Sequence, residues 1–444
     1  MSNFRIRNGG SVFFTYIKGP LPAGDNHIGS VDISGGSVDI SSYNPQYFQN
    51  TNSVMGKVML ADSANLDAFG RLRSSNPETL FDGPMIDTSN TQIFDISVNG
   101  GAIATYNLNE STMTFDVSRS GQFVKRQSHY FARYQPGKSM LSYSSFYFGN
   151  NCPAGITKRV GLFEDNQGIY FEQNSTGVSW NIRSTTQGTT VSASQSSWNI
   201  DTLDGSGPSG FTLNINQTNL CFIDIEWLGV GRVRVGFVIE GKLIYCHQFV
   251  MNNLPYPYIR SAYLPLRYEI QSSQNQAQSV SMKQICCTLI SEGGYQPIGL
   301  LRSYIMENLK ELNNTEFKPV LSIRLKSQYK NLMVVPENYT VLFPAGNQTL
   351  YVKVIYRGTL TGQNFQSVND FVEVDTSASL ISGGYLVDSN YITNQSRISF
   401  QDIPSSVKYL QSDINGVCDI MSICIKSSSG TPSVQCACNW REIF

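Results

Sequence analysis

Apolar residues along this chain mostly recur at every second position, in short runs broken by Gly, Asn, Asp, Ser and Pro. That alternation puts successive side chains on opposite faces of an extended backbone, so it predicts strands. Runs of this kind cover 93–98, 102–108, 112–117, 140–148, 159–163, 168–172, 178–183, 221–228, 233–239, 242–249, 266–271 and 283–289. Turn residues separate many of them at intervals of about 8–12 positions, the rhythm of a sandwich or barrel. Asn99-Gly100 and Glu240-Gly241 sit between apolar runs and predict hairpin tips. After Pro319 a second series begins, over 320–325, 331–335, 339–343, 349–356, 371–374, 397–400 and 419–425. Between the two series, the apolar positions of Leu300 to Leu312 suggest a short connecting helix, and they would serve equally well in an extended segment. Trp440, Ile443 and Phe444 at the C-terminus predict a docked tail, because exposing them forgoes about 1.5–3 kcal/mol of burial each.

The expected architecture is therefore all-β, with two antiparallel, jelly-roll-like β-sandwiches. Residues 1–65 form an extended N-terminal arm, 66–297 the first sandwich, 298–318 a helical connector and 319–444 the second sandwich. The arm is rich in Gly, Ser, Asn and Pro and holds a direct repeat, Ser30-Val31-Asp32-Ile33-Ser34 and Ser37-Val38-Asp39-Ile40-Ser41. Its apolar residues Val31, Ile33, Val38 and Ile40 are too few for a core. They suit a strand added to the sheet edge of a neighbouring subunit.

Composition sharpens this into a preference for assembly. Only 15% of the 444 residues are charged and the formal net charge is −1. Roughly 25% is usual for a soluble domain. A surface of Ser, Asn, Gln and Thr with little self-repulsion favours association, including association of like chains. It argues against nucleic-acid binding, which calls for a basic face. The nine cysteines are odd in number and irregular in spacing. They read as reduced thiols, as in a protein assembled in a cytoplasm. No run is long enough for a membrane-spanning helix, and the polar N-terminus lacks a secretion signal.

The central motifs carry a resemblance. Arg159-Val160-Gly161-Leu162-Phe163-Glu164-Asp165-Asn166-Gln167-Gly168-Ile169-Tyr170-Phe171 is followed by Trp198-Asn199-Ile200-Asp201 and Leu203-Asp204-Gly205. Ile223 to Arg234 and Tyr263-Leu264-Pro265-Leu266-Arg267-Tyr268-Glu269 come next, with Asp67 to Arg73 and Tyr134 to Lys138 upstream. Over roughly residues 60–300 this resembles a family of virion-associated proteins of tailed phages and large double-stranded DNA viruses. The central region resembles a concanavalin-type lectin sandwich. The resemblance implies a structural component of the virion, such as a minor capsid, vertex, collar or tail-associated protein. Its partners would be other virion proteins and its assembly would take place in the host cytoplasm. It also implies an alternative, a fibre or spike that binds host-surface glycan, with Trp180 and Trp198 as the expected contacts. It implies no catalytic residue, cofactor or metal.

One strand tests that last expectation. In β-glucanases of similar sandwich type, Glu-x-Asp-x-Glu aligns a nucleophile and an acid/base on one strand face. Here the segment is Phe222-Ile223-Asp224-Ile225-Glu226, so a phenylalanine occupies the nucleophile position. The expected role of Asp224 and Glu226 is to meet Arg232 or Arg234. His27, His129 and His247 have no nucleophile tied to them by motif and are expected to be structural. Asp201 and Asp204 are the weak candidates for Ca²⁺, without EF-hand spacing.

Overall fold

The computed structural model describes residues 76–443 except 130, 297, 330–331, 394–397 and 404–408, together with the strands Phe4–Asn8, Ser11–Thr15 and Val31–Asp32. The chain forms two compact units, Met1–Arg73 and Ser74–Phe444. In the first unit the three strands make a small antiparallel sheet with Phe4–Asn8 in the middle. Ile33, Val38 and Ile40 of the expected assembly arm lie outside the described residues, and Val31 is described only as part of a strand backbone.

The second unit is all-β: among its described residues only Gln195–Ser197 is helical, a single 3₁₀ turn. Its first sandwich has a seven-stranded sheet, in the order Thr189–Ser194, Gly177–Ser184, Gly168–Asn174, Ile156–Phe163, Leu266–Ser272, Phe123–Ser128, Phe94–Asn99. The facing sheet has eight strands. Lys242–Phe249, Val233–Ile239, Thr218–Ile225, Met140–Tyr147, Val280–Ser291, Thr112–Val117 and Ile103–Asn107 follow one another, and Glu78–Gly83 pairs with Val280–Ser291. Alternate side chains of both sheets meet in one core that runs from Phe81 to Leu289. A second core gathers Met306 to Trp440 between a five-stranded and a six-stranded sheet. Trp440 and Ile443 are buried in the final strand, Ser433–Ile443, as expected of the tail.

Two local expectations are corrected. Leu300–Ile305 is an edge strand rather than a helix, paired antiparallel with the last strand from Leu300↔Glu442 to Ile305↔Ala437. Only Met306 and Leu312 of that segment are buried, while Leu300, Leu301, Ile305 and Leu309 are exposed. A long-range ladder to the tail has fixed the segment as extended. Asn99-Gly100 is a turn but not a hairpin tip. Phe94–Asn99 pairs in the seven-stranded sheet and Ile103–Asn107 in the eight-stranded one, so the chain crosses between layers there. Gly100 and Gly101 take φ of 67° and 79°, which suits glycine. Glu240-Gly241 is a true hairpin tip, closing Ile239↔Lys242.

His129 joins the two sandwiches. Its Nδ1 lies 2.7 Å from Asp95 Oδ1 in the first, and its Nε2 lies 2.7 Å from Asp419 Oδ2 in the second. Arg357 Nε donates to Asp419 Oδ1 at 2.8 Å and Tyr356 OH to Asp419 Oδ2 at 2.8 Å. Backbone amides add to the joint, with Ile414 N donating to Asp95 Oδ2 at 3.0 Å and Phe131 N to Gln411 Oε1 at 2.9 Å. Burial disfavours a charged imidazole, but the bonds to Asp419 and Asp95 outweigh it and raise the His129 pKa to about 9. Burial likewise pushes the Asp419 carboxyl up, and the His129, Arg357 and Tyr356 contacts more than reverse this, leaving it below its ordinary value.

The sign of the pH dependence follows. His129 contributes fully below its unfolded value of about 6.5, and the contribution is lost as pH rises through about 9. Asp419 contributes above its unfolded value, and that contribution is lost as pH falls through its depressed folded value. Lys158 and Lys310, both lowered to about 8 by burial, act in the opposite sense to His129 between neutral and alkaline pH. The informative quantity is thus a difference between proteins. His129→Gln should lose about 3 kcal/mol at pH 6, since one partner of a buried pair is removed. Its deficit relative to wild type should shrink by pH 9.5, as measured by calorimetric melting of the full chain at both pH values.

Candidate functional site

The strand Thr218–Ile225 turns Cys221, Ile223 and Ile225 into the core, so Phe222 and Asp224 face outward from the eight-stranded sheet. On the neighbouring Met140–Tyr147 strand the usual sorting is inverted. Ser142 and Ser144 are buried and face the core, while Tyr143 and Tyr147 point out. The small serines leave room for Tyr268, a fully buried ring from the facing sheet whose hydroxyl reaches through to Cys286 O at 3.0 Å. A bulky side chain from one layer has displaced those of the other.

Register then sets an aromatic row across the outer face. Tyr143 is opposite Phe222, Phe222 is opposite Gly236, and Gly236 is opposite Tyr245. Gly236 is the gap in this row. A Cβ there would lie 2.7 Å from Phe222 Cζ and 2.0 Å from Ile244 O. Without it, the Phe222 ring lies across the middle strand and packs edge-on to Tyr245 at 4.9 Å between centroids, with Tyr143 on its other side at 6.2 Å. Phe222 is fully covered, whereas Tyr143 and Tyr245 keep part of their surface.

Beside the row opens a cavity of 350 Å³ lined in part by Tyr134, Lys138, Asp224, Glu226, Arg232 and Arg234. Its carboxylates are engaged. Arg234 bonds Asp224, whose Oδ2 also accepts the Tyr245 hydroxyl at 3.1 Å. Arg232 Nε lies 3.3 Å from Glu226 Oε2, and the Arg234 guanidinium sits 4.5 Å over the Tyr245 ring. Burial first, and then the Asp224 charge, raise the Tyr245 phenol to about 12, so it stays a neutral donor. The expected arginine partners are thus in place. Two residues before Asp224, the strand holds a buried hydrocarbon ring, edge-on to Tyr245 and tilted against Tyr143.

The tryptophans expected to contact glycan are elsewhere. Trp180 is 0% exposed and Trp198 is 4% exposed. Trp180 is opposite Phe171 in the seven-stranded sheet and packs on Phe237 at 5.8 Å, and Trp198 packs on the same ring at 6.2 Å. Both fill the core, and neither can meet a ligand. Asp201 and Asp204 bond the backbone of their own loop. Asp201 accepts from Leu203 N at 2.8 Å and Ser209 N at 2.7 Å, and Asp204 from Ser206 N at 2.9 Å, which organises the loop. Among the described residues, no group of three or more His, Cys, Asp and Glu is placed to hold a metal ion. His129 and His247 are structural, the latter receiving Asn199 N at 3.2 Å. His27 lies outside the described residues. No helix among the described residues is long and apolar enough to cross a membrane.

The outward tyrosines had a signal in sequence, the alternation of aromatics with serines over 140–148. Alternation alone does not say which set faces the core, and the ordinary assumption buries the rings. Replacing Gly236 by alanine should drive Phe222 off the middle strand or shift the Ile244 carbonyl. We expect Gly236→Ala to lose about 1–3 kcal/mol, read as a lowered melting temperature.

No family model matches the chain, and no curated protein matches it. Several solved structures are similar to part of it. A β-glucanase of Bacillus licheniformis is 12% identical, covering 48% of this chain and 98% of its own, with a TM-score of 0.31. The carbohydrate recognition domain of Emp47p is 11% identical over 49% of this chain and 97% of its own, with a TM-score of 0.32. Peanut lectin is 9% identical over 49% of this chain and 98% of its own, with a TM-score of 0.29. Likeness at this level carries no argument about what the chain binds or does.

Proposed function

We propose that this is a non-enzymatic structural protein that binds neutral carbohydrate on the outer face of its eight-stranded sheet and acts as part of a virus particle. The observation that carries the first half is the row Tyr143–Phe222–Tyr245 across three strands and the gap at Gly236. The partly exposed rings of Tyr143 and Tyr245 offer apolar surface to the C–H face of a pyranose. Asp224, Glu226, Arg232 and Arg234 border the row as fixed donors and acceptors. The non-enzymatic reading rests on Phe222, which offers no nucleophile, and on an Asp224 already committed to Arg234 and Tyr245.

The virion half rests on the resemblance of the central motifs, on the low surface charge and on an exposed apolar strand edge. Leu300, Leu301 and Ile305 project from an edge strand in a manner that a neighbouring subunit would cover. On this reading the partners are other virion proteins and further copies of the chain, and the site is the assembled particle.

An array of neutral oligosaccharides should return binding by the full chain, with Tyr143→Ala and Tyr245→Ala each weaker by about tenfold at a temperature where both variants are fully folded. No reducing ends should be released from any binder. Hydrolysis that disappears in Glu226→Gln would overturn the non-enzymatic reading. For the virion half, mass spectrometry of purified particles should find the chain, and particles made with residues 1–60 deleted should lack it. Unchanged incorporation of the truncated chain would remove the arm from the account.

A further inference from the structure

The six-stranded sheet of the second sandwich also has an outer face, and its chemistry differs from that of the first. Leu350–Tyr356 sends Leu350, Val352 and Val354 into the core, leaving Tyr351 and Lys353 outside. Ile420–Ser427 sends Met421, Ile423 and Ile425 in and leaves Lys426 out. Register aligns Lys426 with Tyr351 and Tyr351 with Tyr391. Phe317, from the segment that leads into Lys318–Leu325, lies against both lysines. Lys353 Nζ is 4.3 Å and Lys426 Nζ 5.4 Å from its centroid, and Lys426 Nζ is 5.5 Å from the Tyr351 ring. Tyr391 stands edge-on to Tyr351 at 5.6 Å and is 70% exposed.

Lys138 and Lys326 bond neutral oxygens and Lys242 lies over Phe211, whereas Lys353 and Lys426 meet one and the same ring. Lys125, Lys283, Arg159, Arg234 and Arg324 each meet a carboxylate. Among the described residues, no carboxylate lies within ion-pair distance of Lys353 or Lys426. Two ammonium groups therefore converge on one hydrocarbon ring with no anion between them, beside an exposed phenol. Aromatic faces stabilise such cations only modestly and leave their outward hydrogen-bonding capacity to a ligand.

We propose that this face binds an acidic oligosaccharide, with a sulfate or carboxylate held between Lys353 and Lys426 and an adjoining sugar ring on Tyr391. The site is independent of the neutral-sugar face on the first sandwich. An acidic sugar fits better than a nucleic acid. The chain has a net charge of −1, the cluster offers two cations, and Glu373 lies on the same sheet face around Arg324.

Calorimetric titration of the full chain tests this with a heparin-derived hexasaccharide, its fully desulfated form, cellohexaose and a single-stranded oligonucleotide. The heparin hexasaccharide should bind, with affinity falling as salt rises. Lys353→Gln and Lys426→Gln should each weaken it by about tenfold, as expected for loss of one charge-assisted contact. Tyr391→Ala should weaken it too, whereas Tyr245→Ala should leave it unchanged, which separates this site from the neutral-sugar face. Binding lost on desulfation assigns the contact to sulfate, and binding retained assigns it to the uronate carboxylates. Equal affinity for cellohexaose, tighter binding of the oligonucleotide, absence of heparin binding, or affinity unaltered by the lysine substitutions at native melting temperature would each overturn the proposal.

Discussion

His129 sits between two carboxylates that come from opposite ends of the second unit, and the relation between the sandwiches depends on it. Asp95 is held by the first core and Asp419 by the second, so the imidazole can satisfy both only when the two cores are in one arrangement. Its charge is sustained by the same contacts that bury it. Arg357 and Tyr356 share the Asp419 carboxylate, so the imidazole is one member of a connected network. A protein that must present surfaces at fixed relative positions gains from such a joint, because an apolar contact would tolerate sliding that a doubly bonded imidazolium does not.

Given that arrangement, the two outer faces can be compared as parts of one body. Both use strand alternation to commit one side of a sheet to the core and leave the other outside it. On the first sandwich, Asp224 is paired with Arg234 and Glu226 with Arg232 beside the aromatic row. On the second, Arg324 pairs with Glu373, while Lys353 and Lys426 meet the Phe317 ring.

How much of this was legible in sequence varies with the range of the interaction responsible. Most strands of the two series, the Glu240-Gly241 hairpin and the buried tail depend on nearby residues or on bulk hydrophobicity and showed in the pattern, whereas Phe123–Ser128, Thr189–Ser194 and Tyr385–Ile392 did not. Leu300–Ile305 depends on pairing with residues more than a hundred positions away, so its local apolar positions suggested a helix. The Asn99-Gly100 turn was visible, but a turn motif does not say which sheet the next strand joins. At the candidate site, Phe222 and the Asp224–Arg234 pairing followed from period-two geometry on adjacent strands. Trp180 and Trp198 misled because large aromatics serve cores and platforms equally well, and their side is fixed by Phe171 and Phe237. The His129 bridge joins residues 95, 129 and 419, and no spacing rule connects these.

The central claim is that the outer face of the eight-stranded sheet is a carbohydrate site and not a disabled or hidden catalytic one. A crystal structure of the full chain soaked in turn with the hexasaccharides of cellulose, mannan and galactan tests it most directly. The account predicts a sugar ring stacked on Tyr143 or Tyr245, unbroken linkages, and Asp224 still bonded to Arg234. Sugar bound only away from this sheet, or a cleaved product seated against Glu226, would contradict it.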